Sequence, residues 1–482
     1  MNYFEWNLYL KELSTNTGNK DAQGHAIKIR APPRRIRQIS VQKNQRAKKS
    51  AAIKNLQFPS SSFLSYFCTM IAYESFTLSN GLEVIFHKDD STPMAVVNVI
   101  YNVGAKDEDP SKTGFAHLFE HLMFQGSENI PEYDEPLQKA GGENNAFTTN
   151  DLTNYYCQLP AENIETAFWL ESDRMLNLAF DKKSFETEKK VVIEEFKEHY
   201  INKPYGDVWH KMRNLAYTSH PYKWMTIGAE LSHVENAKLQ DVKDFFKKHY
   251  NPSNAILVVA GNLKLEDVKA LAEKWFADIP SGQKYNRNIP QEPAQVGERK
   301  LEVKADVPVT ALYKSWHMCD RLDQRYYATE FISDILGGSA SSRLYQTLVK
   351  EKKLFSEIDC FHFGSTDAGL LTIAGKLVNG VAMETAEAAI DHEIKMLQSR
   401  GITEDELQKV KNKTESILAF EDMSLMNRAT NIAMYAILGD ASLINKEWGY
   451  YQAVTAKDIV TQANEIFTAN NCSTLYYHAT QN

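Results

Sequence analysis

The sequence predicts an α+β protein built from two related domains, and three observations point there. The chain has 482 residues, too many for one ordinary hydrophobic core. A stretch from Ile279 to Lys300, with Pro280, Gly282, Pro290, Pro293 and Gly297, reads as a linker. On either side of it, strands and helices follow in the same order over similar lengths. The boundaries expected from this pattern are 70–284 for the first domain, 285–300 for the linker and 301–482 for the second.

The elements follow in order. Phe76 to Phe86 reads as two strands around an Asn80-Gly81 turn, because these residues accept the positive φ of a tight hairpin. Ala95 to Val103 is an apolar run of strand length. Helices are expected over about 113–124, 131–140, 161–178 and 183–200. Ala255 to Gly261 is a second apolar strand, followed by a helix over about 265–277. Beyond the linker come a strand near 307–317, a helix over 322–336, the pair Gly337-Gly338 and a helix over 341–352. Strands near 357–376 and helices over 382–399 and 403–420 complete the pattern.

Residues 1–69 differ from this body. They carry 12 Lys and Arg against 3 Asp and Glu, whereas the remainder is acidic. From Arg30 to Lys54 no helical or strand period is sustained, so the stretch is expected to be disordered and to add nothing to the fold. Three readings stand side by side: a basic arm for a partner, an organelle-targeting segment, and a chain whose translation starts at Met70.

Composition excludes several classes. A net charge of −8 gives no reason to expect nucleic-acid binding. No apolar run approaches the ~20 residues of a membrane-spanning helix. The five cysteines are scattered and lack a C-x-x-C spacing, which predicts free thiols in a reducing compartment rather than a disulfide framework. The expected location is cytoplasmic, or periplasmic or mitochondrial if residues 1–69 are a targeting segment.

The chemistry centres on Gly114-Phe-Ala-His117-Leu-Phe-Glu120-His121-Leu-Met-Phe124. On a helix, His117 and His121 are four residues apart and project from one face, where two imidazoles can take two corners of a zinc tetrahedron. Glu120 lies beside them and can reach a water at the metal without being a ligand. Zinc lowers the pKa of such a water toward ~7, and a carboxylate can then take its proton. The neighbouring apolar residues imply burial of these polar groups, and a metal is one partner that would satisfy them.

Two histidines need a third protein ligand, and the segment from Ser184 to Lys197 offers it. Lys183, Glu186, Lys190, Glu194 and Lys197 share a charged helical face. Phe185, Glu188, Val192, Glu195 and Phe196 share an apolar one. Glu194 is therefore expected in solvent. Glu188 and Glu195 fall on the buried stripe, one as ligand and the other as its support, and helical phase does not say which is which.

The H-x-x-E-H order is the inverzincin signature. With Leu78-Ser-Asn-Gly-Leu, Gly141-Gly-Glu-Asn-Asn145-Ala-Phe-Thr-Thr-Asn-Asp151, His220-Pro-Tyr, Tyr250-Asn-Pro-Ser-Asn-Ala and Gly337-Gly-Ser-Ala-Ser-Ser-Arg-Leu344, the chain resembles the pitrilysin/insulinase family of zinc metallopeptidases from about Phe76 to Tyr477. The small bacterial and mitochondrial-processing-peptidase-like members are the most similar in kind. The resemblance implies that each domain is a mainly antiparallel sheet with helices on one side, the pair forming half of a clamshell. It implies one zinc ion per chain, Glu195 as the distal ligand, Glu188 as its support and Glu120 as general base. It also implies that Ala146 to Asn150 lies on an edge strand that pairs with an extended peptide, with Asn145, Ala146 and Phe147 at the substrate and Asn145 and Phe147 facing the cleft.

The activity so implied is that of a metalloendopeptidase or oligopeptidase acting on extended or unfolded peptides. A processing peptidase for targeting sequences is a narrower version of it. The alternative from another class is a non-catalytic scaffold subunit; relatives of that kind have lost the zinc residues, whereas this chain keeps all four. One departure stands out. Active relatives carry an Arg and a Tyr seven residues apart after the Gly-Gly segment, to hold the substrate carbonyl. Here Lys350 stands at the Arg position, and Phe355, Ser356 or Glu357 at the Tyr position, with Tyr345 nearby as a substitute. The expected partner is a related subunit that supplies the pair, or a second copy in a homodimer.

Overall fold

The protein is described here by a computed structural model covering residues 70–480. The basic segment 1–69 and its three readings lie outside the described residues.

The first sheet contains β1 (Glu74–Thr77), β2 (Glu83–Lys88), β3 (Met94–Tyr101), β4 (Glu143–Thr148), β5 (Thr153–Pro160) and β6 (Ala255–Gly261), in the spatial order β1-β2-β6-β3-β5-β4. Its helices are α1 (Phe115–Leu122), α2 (Asp134–Lys139), α3 (Ile164–Asn177), α4 (Lys182–Phe196), α5 (Val208–Ala216), α6 (Leu231–Glu235), α7 (Leu239–His249) and α8 (Leu265–Phe276). The second sheet contains β7 (Arg299–Ala305), β8 (Ala311–His317), β9 (Phe355–Phe363), β10 (Leu370–Leu377) and β11 (Cys472–Ala479), in the order β7-β11-β8-β10-β9. With it go α9 (Tyr326–Leu336), α10 (Met383–Arg400), α11 (Glu404–Glu421), α12 (Leu425–Ile437), α13 (Leu443–Ala453) and α14 (Ala456–Ile466).

The repeat read from element order is a repeat of topology. Once the hairpin strand β1 is set aside, the order β2-β6-β3-β5-β4 recurs strand for strand in the second sheet. Each sheet has a single parallel pair, β2 with β6 and β7 with β11, and is otherwise antiparallel. The β1–β2 turn forms as expected. Gly81 has φ +89°, and Asn80 fastens the hairpin by donating to the carbonyls of Phe276 at 2.7 Å and Ile279 at 3.0 Å.

One face of the first sheet packs on its own helices. Ala95, Val97, Val99 and Tyr101 of β3 join a core with Phe119 of α1, Phe168 of α3 and Phe276 of α8. The opposite face is covered from the other half of the chain. Helix α12 lies across β3 and β6, Asn98 Nδ2 donates to Thr430 Oγ1 at 3.3 Å, and Arg428 pairs with Asp89. The loan is returned by α5, whose Val208 and Met212 pack on Ala311, Tyr313, Leu475 and Tyr477 of the second sheet.

The region read as a linker has no regular structure from 280 to 298, and β7 begins at its end. It is stitched down along its length. The Glu292 carboxylate accepts from the backbone N–H groups of Thr218, Ser219 and His220 at 2.8–2.9 Å. Arg287 makes a two-pronged pair with Asp107 at 2.9 and 2.8 Å.

A buried ionic joint also ties the halves. Lys106, with 3% of its side chain exposed, lies 2.7 Å from both Asp151 and Asp367. Thr366 donates to Asp151 from its backbone N–H at 3.1 Å and from its hydroxyl at 2.7 Å, and Tyr222 donates to the same carboxylate at 2.6 Å. Thr366 and Asp367 lie on the loop between β9 and β10, so this loop of the second half is anchored inside the first.

The described cysteines, Cys157, Cys319, Cys360 and Cys472, are free thiols. Among the described residues no helix is long and apolar enough to cross a membrane.

Candidate metal centre

The site is built on α1, and the start of that helix is tightly specified. Gly114 has φ +91°, and a Cβ there would lie 2.6 Å from the Ile227 carbonyl oxygen, so only glycine fits. Glu108, from the preceding loop, supplies the cap that glycine lacks. Its two carboxyl oxygens accept from Gly114 N at 2.9 Å and Ala116 N at 2.8 Å, satisfying N–H groups at the start of the helix. Burial pushes the Glu108 carboxyl up to about 8, against the pull of these N–H groups.

Leu118, Phe119 and Leu122 point into the core, which turns His117, Glu120 and His121 toward the outside of the helix. The two imidazole centroids are 4.9 Å apart with rings at 81°. Helix α4 packs against α1. It is capped by Asp181, whose side chain accepts from Lys183 N and Ser184 N, and it buries Phe185, Glu188, Val192 and Phe196. That is the apolar stripe the sequence implies.

The last turn of α4 brings Glu195 to the histidines. Its Oε2 is 3.4 Å from His121 Nε2 and 3.9 Å from His117 Nε2. Ligand atoms around a tetrahedral zinc with bonds of ~2.0–2.1 Å lie about 3.3 Å apart, so the donor set fits such an ion. Among the described residues His117, His121 and Glu195 form the one group of potential metal ligands, with all ligand atoms within 4.8 Å of one another. Glu188 touches the other side of the same ring, 3.1 Å from His121 Nδ1. A proton on Nδ1 donated to Glu188 leaves the Nε2 lone pair facing Glu195 and His117. Glu194 points away, 71% exposed and 2.8 Å from Lys197.

Electrostatics agree with the donor chemistry. Burial, reinforced by the neighbouring His121, lowers His117 to about 4, so its imidazole is neutral, the form that binds a metal. Burial also opposes a charge on His121, but the hydrogen bonds to Glu188 and Glu195 outweigh it and raise that ring to about 10. A metal at His121 Nε2 would displace the proton there, since only the neutral ring has a lone pair to give. The side chains of His117, His121 and Glu195 remain 21%, 20% and 34% exposed, so the cluster faces an opening, as a catalytic metal site requires.

Glu120 stands apart from the three donors. Its Oε2 accepts from the Thr148 hydroxyl at 2.6 Å. Burial raises its carboxyl above the ordinary range, and the Thr148 hydrogen bond pulls the other way. Thr148 ends β4, which is the edge strand of the sheet, so the strand expected to meet a peptide also touches Glu120. Asn145 is exposed on that strand, while Ala146 and Phe147 are each 1% exposed. Phe147 shares the face of Asn145 but is closed off from solvent, with its ring 6.5 Å from that of Tyr156.

In the second half, Lys350 is exposed on a wide π-helical segment, Tyr345–Glu351, with its Nζ 5.3 Å from the Tyr345 ring centroid. Phe355 is buried, Ser356 donates to the Lys376 carbonyl at 3.1 Å, and Glu357 pairs with the Lys376 ammonium at 2.8 Å. None of the three positions offers a phenol. Sequence reasoning missed Glu108 and Thr148. Their carboxylate and hydroxyl reach α1 from loop and strand, and no helical spacing announces them.

The geometry predicts an asymmetry between adjacent glutamates. Glu195→Gln is expected to lower zinc occupancy after dialysis at least tenfold relative to Glu194→Gln, in line with the ~10–100-fold effects of perturbing a metal site's surroundings. Equal occupancy in the two variants by metal analysis would remove Glu195 from the donor set.

Comparison with known proteins agrees with the geometry. A family model described as Insulinase (Peptidase family M16) matches residues 83–228, and one described as Peptidase M16 inactive domain matches residues 236–414. The chain is 31% identical to the zinc protease PqqE of Helicobacter pylori, over 84% of this chain and 92% of that protein. It is 24% identical to the probable mitochondrial-processing peptidase subunit beta of Arabidopsis thaliana, over 71% of this chain and 66% of that one. The crystal structure of a protease from Helicobacter pylori superposes with a TM-score of 0.79 at 28% identity, covering 84% of this chain and 99% of that one. The peptidase M16 inactive domain from Pseudomonas fluorescens shares the fold, with a TM-score of 0.77 at 18% identity over 85% of this chain and 98% of that one. With such likeness running the length of both halves, the chain belongs to the insulinase family of peptidases, family M16.

Proposed function

We propose that the protein is a zinc-dependent endopeptidase or oligopeptidase for extended peptides. The observation that carries this reading is the convergence of His117, His121 and Glu195 beside a fourth group, Glu120, that is held off them by Thr148. His117, His121 and Glu195 would hold one zinc ion, and Glu188 would keep His121 in the right tautomer. Zinc, when bound, supplies a Lewis acid that acidifies water and polarises a peptide carbonyl. The extended substrate pairs its backbone with β4 near Asn145 and Ala146. Glu120 takes a proton from the attacking water as its oxygen adds to the carbonyl carbon. It then returns that proton to the amine nitrogen as the C–N bond breaks. Residues 70–284 form the metal-bearing domain on this reading, and 301–482 a companion without a metal. A scaffold would have no use for this constellation. Digestion of a mixed peptide pool by the zinc-loaded chain with its natural partner, with Glu120→Gln as the blank, tests the assignment; no cleavage above the blank would overturn it.

The reading includes a partner. Lys350 and its neighbours present no Arg and Tyr pair, and a second copy of the chain would lack it equally, so a related subunit that carries the pair completes the site. That relatives such as the Arabidopsis protein are named as peptidase subunits supports this. Loss of one oxyanion donor costs about 10²–10³-fold in rate. The chain assayed alone is therefore expected to be slower by at least that factor than the completed assembly. Turnover in the usual ~1–10³ per second from a homogeneous monomer would show that no partner is needed.

A further inference from the structure

The hydroxyl of Thr148 lies 2.6 Å from Glu120 Oε2, and its side chain is almost fully buried, with the residue 8% exposed. A carboxylate accepts and a hydroxyl donates, so one of the two Glu120 oxygens is committed to this bond. The backbone N–H of Thr148 also faces the carboxylate, and the hydroxyl adds a hold on Oε2 that the backbone alone does not give, with Oε1 the oxygen outside that bond. An unrestrained glutamate samples several rotamers, and fixing such a side chain costs entropy. Thr148 restrains it within the folded chain before substrate arrives. It also sits at the end of β4, in register with Thr153 of β5, on backbone held by the sheet. The bond thus ties Glu120, on a short helix, to the strand at the edge of the sheet.

We propose that Thr148 is a positioning residue for peptide hydrolysis: its hydroxyl holds Glu120 Oε2 and so presents Oε1 as the proton acceptor. The inference rests on the reading of Glu120 as general base. It assigns Thr148 no contact with metal or substrate. A misaimed base slows the chemical step without weakening peptide binding, so the effect falls on kcat.

The test compares Thr148→Val and Thr148→Ser with wild type and Glu120→Gln, all loaded with zinc and assayed with the natural partner on one peptide substrate. Thr148→Val keeps the shape and removes the donor. It is expected to lower kcat by about 10–100-fold, with KM within about twofold and zinc stoichiometry unchanged. Thr148→Ser restores the donor and is expected to recover most of the rate, which a purely structural role for the threonine methyl would not allow. If Thr148→Val does not fold, Thr148→Ala is read for the same split between kcat and KM. Wild-type kcat in the valine or alanine variant overturns the proposal, as does a rise in KM alone or a serine variant as slow as the valine one. An active Glu120→Gln protein instead overturns the assignment of the base, so the two failures are told apart.

Discussion

Replacing Glu120 by glutamine is expected to abolish peptide hydrolysis while leaving the metal in place. The substitution is nearly isosteric, and a glutamine carbonyl can still accept from the Thr148 hydroxyl, so the local packing survives. What is lost is the ability to take a proton. Removing a general base typically costs about 10²–10⁴-fold in rate, which places the variant near the floor of a peptide assay. Glu120 is not among the three clustered donors, so zinc stoichiometry by metal analysis is expected to match wild type. A zinc-loaded variant with near-normal turnover would remove Glu120 as the base. A variant that has lost its zinc would instead make Glu120 part of the metal cluster.

The second large effect is expected at the ionic joint between the halves. Lys106→Met preserves an unbranched chain but leaves Asp151 buried without its cation. Breaking a buried pair by removing one partner costs about 3–5 kcal/mol, read as a lower urea midpoint. The pH dependence tests whether a carboxylate deprived of Lys106 is responsible, Asp151 first because it is more buried than Asp367. Burial alone would raise Asp151, but Lys106 and the hydroxyls of Tyr222 and Thr366 outweigh it and hold the carboxyl below the ordinary range. A depressed carboxylate contributes stability that is present above its unfolded pKa of ~4 and lost as pH falls through its lower folded value. In Lys106→Met burial is the largest remaining influence and is expected to raise the same carboxyl, so acidification from neutral pH lets a proton stand in for the missing ammonium. The stability gap between wild type and variant is expected to narrow as pH falls from about 7 to about 5. A gap that stays constant over that range would place the cost elsewhere.

Residues whose partners lie close in sequence were legible. The Asn80-Gly81 hairpin, the buried stripe of α4 and the single face shared by His117 and His121 all follow from local geometry, and each has its expected form. Helical phase could not choose between Glu188 and Glu195. Seven residues return both to the same stripe, and only the tilt of α4 against α1 sets Glu195 at the Nε2 atoms and Glu188 at Nδ1. Which sheet α5 and α12 cover was not legible, because local periodicity shows an apolar face but not that its partner lies in the other half of the chain. Strand β5, Thr153–Pro160, mixes Asn154, Tyr155, Tyr156 and Gln158 and lacks the aliphatic run that marks β3 and β6. Strand β7 lies at the end of the region whose prolines and glycines read as a linker, and the strand expected near 307–317 is in fact β8, starting at Ala311. Glu108 and Thr148 are isolated polar residues in sequence and acquire meaning only when loop and strand close on α1.

The exchange of α5 and α12 between the two sheets carries a cost during synthesis. The first sheet is complete in the chain at Gly261, yet the helix that covers its second face ends at Ile437, roughly 175 residues later. At about 5–20 residues per second, a ribosome takes about 9–35 s to make that stretch. Throughout that interval Val96, Ile100 and Val258, all fully buried in the finished fold, have no cover from α12. Exposed apolar strands on a nascent chain recruit chaperones or other nascent chains, and ribosomes that stall within the second half would release an aggregation-prone product.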